Sequence, residues 1–252
     1  MALIIAAAAL FLPKLLGGNQ QQFAGDDVGP EVSATGEVDC VTEIEQILCG
    51  AADDVSDYWV RTFPPAFNQE YREADTIFFS GATNTGCGQA SAQLGPFYCP
   101  ADGLVYFDLQ FLEQLQSQLG ATGDLAAQYI VAHEYGHHVQ NVLGISAKVR
   151  QLEQQDPQNA NRYSVALELQ ADCLAGAWAR DADERNLLDE GEIAEALNAA
   201  SAVGDDTIQQ QAGQQVNQES FTHGSSEQRV SWFRRGYDTG DPQQCNTFAE
   251  VL

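Results

Sequence analysis

The sequence predicts an α+β fold, on three observations. Two short runs rich in β-branched and aromatic residues, Thr76-Ile-Phe-Phe-Ser80 and Leu104-Val-Tyr-Phe-Asp-Leu109, read as strands. From Asp124 onward the apolar residues recur at helical spacing. The composition, 44% hydrophobic and 19% charged over 252 residues, is that of a globular chain with a core of useful size. A small sheet followed by a mostly helical half is an α+β order.

The elements follow in turn. Ala2 to Leu12 is an unbroken apolar run, shorter than the roughly 20 residues that span a bilayer. Only Met1 precedes it, so the basic start of a signal peptide is missing. Residues 1–18 are read as a membrane anchor or the remnant of one, residues 19–38 as an acidic, polar tether, and residues 39–252 as the domain proper. Asp39 to about Thr62 reads as helix on Val41, Ile44, Ile47 and Leu48, interrupted at Gly50 and ended by Pro64 and Pro65. Gly81 to Gly103 reads as a loop between the two strands, and Phe111 to Leu119 as a short helix. Four helices are expected beyond: Asp124 to Leu143 with Gly144 as its stop, Asn161 to Ala182, Asp189 to Val203 and Ser225 to Tyr237. The last two open with a capping-box pattern, Asp189 with Glu192 and Ser225 with Gln228.

Charge excludes some functions. The chain carries 36 acids against 11 bases, a formal net charge of −25. From Leu15 to Val60 there are ten acids and no Lys or Arg. Such a surface repels phosphate backbones, so no nucleic-acid partner is expected. It keeps the protein soluble, and it also suits a salty milieu that screens self-repulsion. Six cysteines, Cys40, Cys49, Cys87, Cys99, Cys173 and Cys245, form no CxxC pair, which removes zinc ribbons and thioredoxin-type motifs. Their even number and wide spacing suggest disulfides and an oxidising compartment.

The chemistry concentrates in Val131-Ala-His-Glu-Tyr-Gly-His-His138, which contains HExxH. Residues four apart share one face of a helix, so His133 and His137 can aim two imidazoles at one ion. Glu134, one residue round the helix, is placed to take a proton from a water on that ion. Of four histidines in the chain, three lie in this segment. A catalytic zinc needs a third protein ligand and an open position. Glu168-Leu-Gln-Ala-Asp172, on the next long helix, offers Glu168 as that ligand and Asp172 as acceptor for a ligand histidine's other ring N–H.

HExxH followed by ExxxD resembles the gluzincin arrangement of thermolysin-like peptidases, and more closely the bacterial neutral zinc metallopeptidase family of membrane-anchored proteins. The resemblance is carried by Thr85-Gly-Cys-Gly, Gly95-Pro-Phe-Tyr-Cys-Pro-Ala-Asp-Gly103, Ile130 to Gln140, Leu167 to Cys173, Glu195 to Ala200, Gly204-Asp-Asp206 and Ser220-Phe-Thr-His-Gly224. It implies a zincin-like fold, a Zn2+ cofactor, a peptide or protein substrate and a catalytic domain held outside the cytoplasm by an N-terminal membrane anchor. The basic N-terminal segment and full span expected of that family are absent, and Cys40 and Cys49 look like additions. The resemblance also implies Cys87–Cys99 and Cys173–Cys245 bridges. Cys40 and Cys49 would lie about 13 Å apart in continuous helix, so they pair only if the helix breaks between them.

By analogy with gluzincins, His223 is expected to stabilise the oxyanion and the strand Leu104 to Leu109 to be the edge on which a peptide pairs. Tyr163, Tyr135 and His138 are expected to have structural roles. Two other readings stand beside a peptidase: a hydrolase of a non-peptide amide, and a non-catalytic zinc-binding module.

Overall fold

The structure is a computed structural model that describes residues 5–6, 40–91, 95–109 and 125–250. The helix expected at Phe111 to Leu119 and nearly all of the expected anchor and tether lie outside the described residues.

Helix α1, Glu43–Phe67, opens on a complete capping box: Thr42 Oγ1 accepts the Glu45 N–H, and the Glu45 carboxylate accepts the Thr42 N–H at 2.8 Å. It runs through Gly50 and both prolines, a correction to the expected boundaries. Leu48, Ala51, Ala52, Val55, Trp59 and Phe63 bury one face, which outweighs the cost of a helical glycine, about 1 kcal/mol. Pro64 and Pro65 fall in the last turns, where Val60 and Arg61, whose carbonyls lose their partners, are exposed to water. Asn68 ends the helix in the left-handed conformation, at φ 53°. Because α1 starts only at Glu43, Cys40 precedes it. The Cys40–Cys49 bridge forms across a Cα–Cα distance of 6.5 Å without any break in the helix.

The strands are β1 (Ile5–Ala6), β2 (Thr76–Phe79), β3 (Ala82–Thr85), β4 (Gly88–Ser91), β5 (Phe97–Cys99) and β6 (Leu104–Asp108). One sheet has the order β1-β5-β6-β2, with β6 parallel to β2 and antiparallel to β5. The expected substrate edge, Leu104 to Leu109, is therefore an interior strand. The segment expected to be a loop holds three strands instead. Its Gly, Thr and Asn residues build the β3–β4 hairpin, with Gly88 at φ 121° and Thr85 Oγ1 donating to Gly88 O. One face of that hairpin is exposed and the other buries only Ala90 beside half-buried Thr83 and Thr85, so it lacks the strongly apolar alternation that marks a strand. The Cys87–Cys99 disulfide ties the hairpin to β5, and Asp102 accepts from Gly86 N–H, Leu104 N–H and the Tyr106 hydroxyl.

The helical half consists of α2 (Leu125–Val142), α3 (Ile145–Gln155), α4 (Ala160–Glu184), α5 (Glu192–Ala202), α6 (Asp205–Gln211) and α7 (Ser226–Thr239). Helix α2 is buried almost all round, packed among α1, α4, α5 and the sheet. Helices α4 and α7 cross at contact distance because both carry glycine there: a Cβ on Gly176 would sit 2.0 Å from Phe233 O, and one on Gly236 1.9 Å from Cys173 O. Ser225 caps α7 with the expected box, whereas α5 begins at Gly191 rather than at Asp189. Glu192 still accepts the Asp189 N–H at 2.6 Å, which is half of the expected box. Beyond α7 the tail returns across α4, held by the Cys173–Cys245 disulfide. Among the described residues no helix is long and apolar enough to cross a membrane.

Candidate metal centre

The two helices that carry the motif, α2 and α4, approach closely at Gly136, where an added Cβ would meet Ala171 Cα at 3.0 Å. That approach brings His133, His137 and Glu168 together, with one ligand atom from each within 4.8 Å of the others. His133 Nε2 lies 3.2 Å from Glu168 Oε2, and His137 Nε2 lies 3.4 Å from Glu168 Oε1. A tetrahedral ion with bonds of about 2.0–2.1 Å separates its ligand atoms by roughly 3.3 Å, so the spacing fits zinc. All three side chains are buried. His137 Nε2 and both oxygens of Glu134 are also buried and have no hydrogen-bond partner among the described residues. Buried polar atoms are seldom left so. A metal on His137 and a water beside Glu134 would satisfy them.

The ring orientations are fixed from behind. His133 Nδ1–H donates to Asp172 Oδ1 at 2.9 Å, as the ExxxD spacing predicts. Asp172 also accepts from the Tyr129 hydroxyl at 2.6 Å and from Arg229, through Nε at 2.8 Å and through Nη2 at 2.8 Å. His137 Nδ1 faces Gln140 Oε1 at 2.9 Å.

Burial pushes Glu134 up to about 8, with the nearby Glu168 charge adding to it. The Tyr98 N–H on β5 pulls the other way without reaching hydrogen-bond geometry. Burial holds His137 down at about 4. Burial lowers His133 too, but Asp172 and Glu168 outweigh it and leave it at about 9. The opposite directions of the two rings follow from Asp172, which touches only His133. Burial raises Glu168, yet His137 and His133 hold it well below the usual carboxylate range. Asp172 is likewise lowered against burial, by Arg229 and His133.

His223 stands at the centre's edge and interacts with the Glu168 charge. Its Nδ1 is 3.2 Å from Asp205 Oδ1. Asp205 Oδ2 accepts the backbone N–H groups of Thr222, His223 and Gly224, so one carboxylate shapes the whole loop. Burial lowers His223, and the bond to Asp205 together with the Glu168 and Asp205 charges more than offsets this. The three residues expected to be structural are so placed. His138 contacts the Tyr98 hydroxyl and Arg72 O, Tyr135 contacts Thr76 and Ala74 O, and Tyr163 reaches Asp156.

Sequence reasoning missed Tyr129, Gln140, Asp205 and Arg229. Tyr129 precedes His133 by four residues and so shares its face. Arg229 was findable as a cation on the same helical side as Phe233. Gln140 follows His137 by three residues and so shares its face, and Asp205 lies in Gly204-Asp-Asp206, a stretch that carried the family resemblance without showing a role.

Residues 1–248 match the family described as "Putative neutral zinc metallopeptidase". The protein named "Uncharacterized protein YpfJ" from Escherichia coli (strain K12) is 51% identical over 197 residues, covering 78% of this chain and 68% of its own. "Uncharacterized protein Mb2605" from Mycobacterium bovis is 49% identical over 190 residues, covering 71% of this chain and 64% of its own. No solved structure matches the chain. With its motif residues gathered at one buried centre and the match running nearly end to end, the chain belongs to this neutral zinc metallopeptidase family.

Proposed function

We propose that the protein is a zinc-dependent peptidase that hydrolyses peptide bonds with Glu134 as general base. The observation that carries this reading is the convergence of His133, His137 and Glu168 beside a buried, unpartnered Glu134 carboxylate. His133, His137 and Glu168 would hold the zinc, which would supply Lewis acidity for a carbonyl and lower the pKa of a bound water from 15.7 to about 7. The Glu134 carboxylate is placed to take a proton from an attacking water and to pass it to the leaving amine. Asp172 keeps the His133 tautomer fixed while charge redistributes. His223, oriented by Asp205, donates to the developing oxyanion. An extended peptide has no free edge at Leu104 to Leu109, which lie between β5 and β2, and on β5 it would have to take the place of β1, which pairs with Tyr98 and Phe97.

Hydrolysis of a non-peptide amide uses the same water chemistry. A non-catalytic zinc module is disfavoured by Glu134, because a purely structural site closes with four protein ligands and has no use for a buried free carboxylate.

The Cys40–Cys49, Cys87–Cys99 and Cys173–Cys245 bridges point to an oxidising, extracytoplasmic compartment. Attachment to the membrane through the apolar run Ala2 to Leu12 goes with that compartment. The pairing of Ile5–Ala6 with Tyr98 and Phe97 competes for the same residues. Recovery of the full chain in the soluble fraction at low salt would rule attachment out.

The deciding experiment measures zinc content and casein hydrolysis of the full chain beside Glu134→Gln. One zinc per chain in both, with the rate lower by about 10²–10⁴ in the variant, supports the mechanism. Zinc with no activity in either form moves the reading to a narrow substrate or a binding role. No zinc in either form refutes it.

A further inference from the structure

Behind the centre, two glutamine side chains join His137 to the C-terminal tail. Gln140 is fully buried and Gln170 nearly so. Gln170 Nε2 donates to the backbone carbonyl of Cys245 at 2.8 Å. Its Oε1 accepts from Gln140 Nε2 at 3.1 Å. Gln140 Nε2 also donates to Leu167 O at 2.7 Å, which uses both of its N–H groups. Gln140 Oε1 then faces His137 Nδ1 at 2.9 Å.

Each amide is oriented by a group that cannot reverse. A backbone carbonyl only accepts, so Cys245 O forces the Nε2 of Gln170 toward itself and its Oε1 toward Gln140. Gln170 Oε1 and Leu167 O together force the Nε2 of Gln140 toward them and leave its oxygen for His137. An oxygen without a proton can only accept there, so Nδ1 carries the hydrogen and the Nε2 lone pair is left for the metal. The carbonyl at the far end is held by the Cys173–Cys245 disulfide. The tail is held again by Thr247 Oγ1, which donates to Ala166 O.

We propose that Gln140 and Gln170 are positioning residues through which the disulfide-pinned tail at Cys245 sets the ring tautomer of His137, and with it the strength of metal binding. This rests on the reading of His137 as a metal ligand. His133 has a carboxylate for the same task. His137 has this neutral relay, whose far end is pinned by the Cys173–Cys245 disulfide.

The test reads the His137 tautomer from imidazole ¹⁵N shifts in the metal-free full chain, beside zinc affinity by competition with a chelator. Three variants are compared: Gln140→Met, Gln170→Met, and Cys173→Ala with Cys245→Ala. Gln140→Met is expected to mix the two tautomers and weaken zinc by about 10–100-fold. Gln170→Met and the cysteine variant are expected to shift both readouts in the same direction by less, since Leu167 O still holds Gln140. Neither should add to Gln140→Met, because the relay has a single exit to His137. An unchanged tautomer and zinc affinity in Gln170→Met would overturn the proposal, even if its melting temperature falls, since that is what packing alone would give. Losses that add in full on the Gln140→Met background would also overturn it. A parent chain that binds no zinc would remove the metal assignment, whereas the ¹⁵N shifts would still decide the relay.

Discussion

Replacing Arg229 by methionine removes the guanidinium that pairs with Asp172 while filling most of the space with apolar atoms. Arg229 is 1% exposed and Asp172 0%. Two charge-assisted bonds of 2.8 Å join them, and further guanidinium donors serve the Tyr129 hydroxyl and Val203 O. Taking one partner from a buried pair costs about 3–5 kcal/mol, chiefly because the other charge stays behind. Asp172 keeps the Tyr129 hydroxyl and His133, which argues for the middle of that range, about 4 kcal/mol. In a domain of this size that lowers the melting temperature by about 8–16 °C. Urea unfolding of metal-stripped protein measures it, with an unchanged m-value as the sign that only stability has moved. Adding Asp172→Asn should restore part of the loss by deleting the stranded charge. A loss under about 1 kcal/mol, or a double variant less stable than Arg229→Met alone, would refute the reasoning.

Asp205→Asn should move the alkaline limb of kcat/KM to lower pH. The His223 pKa is raised in the folded chain, so stability from its charge is full below the unfolded value of 6.5 and is lost as pH rises through the folded value. The Asp205 pKa is lowered, so its share is present above the unfolded value of 3.8 and is lost as pH falls through the depressed one. An unmoved alkaline limb would separate His223 from the rate. Gly236→Ala should cost about 3 kcal/mol or more in thermal or urea unfolding, because its Cβ would meet Cys173 O at 1.9 Å and force α4 and α7 apart. A neutral or stabilising result would mean that the helices do not cross this closely. Zinc loading at pH 7 should release protons, as His133 stands near 9 and Glu134 near 8 without metal. Calorimetry in two buffers of different ionisation enthalpy counts them, and a count of zero would contradict the buried charges described here.

The legible part of the site was the part set by local geometry. HExxH and ExxxD each need only one helix and a four-residue step, so the candidate ligands and Asp172 could be read without knowing how the helices cross. Arg229 lies 57 residues beyond Asp172, and only the α4–α7 crossing brings them together. Nothing in the local pattern of α7 names its partner. The β3–β4 hairpin was hidden for a different reason. Its inner face carries only Thr83, Thr85 and Ala90, and it is held by a disulfide and by Asp102, not by a large apolar stripe. Helix α3 was passed over because Ser146 and Val149 are its only buried residues. At α1 the proline rule misled, since a proline near a helix end costs only carbonyl bonds that water replaces.

The buried charges around the centre come in compensating pairs, and this bears on which ion fits. Arg229 cancels Asp172 at 2.8 Å, and a protonated His223 cancels Asp205 at 3.2 Å. What remains uncompensated is Glu168 and an ionised Glu134, two negative charges beside two histidines that are neutral as ligands. A divalent cation balances them, whereas a monovalent one leaves a buried net charge, which low-dielectric surroundings penalise. Without metal the same balance is reached by protons. His133 takes one because Asp172 and Glu168 favour it, and Glu134 takes another because burial does. Proton and metal therefore compete for one deficit of charge. The centre should lose zinc as pH falls even though none of its ligands moves.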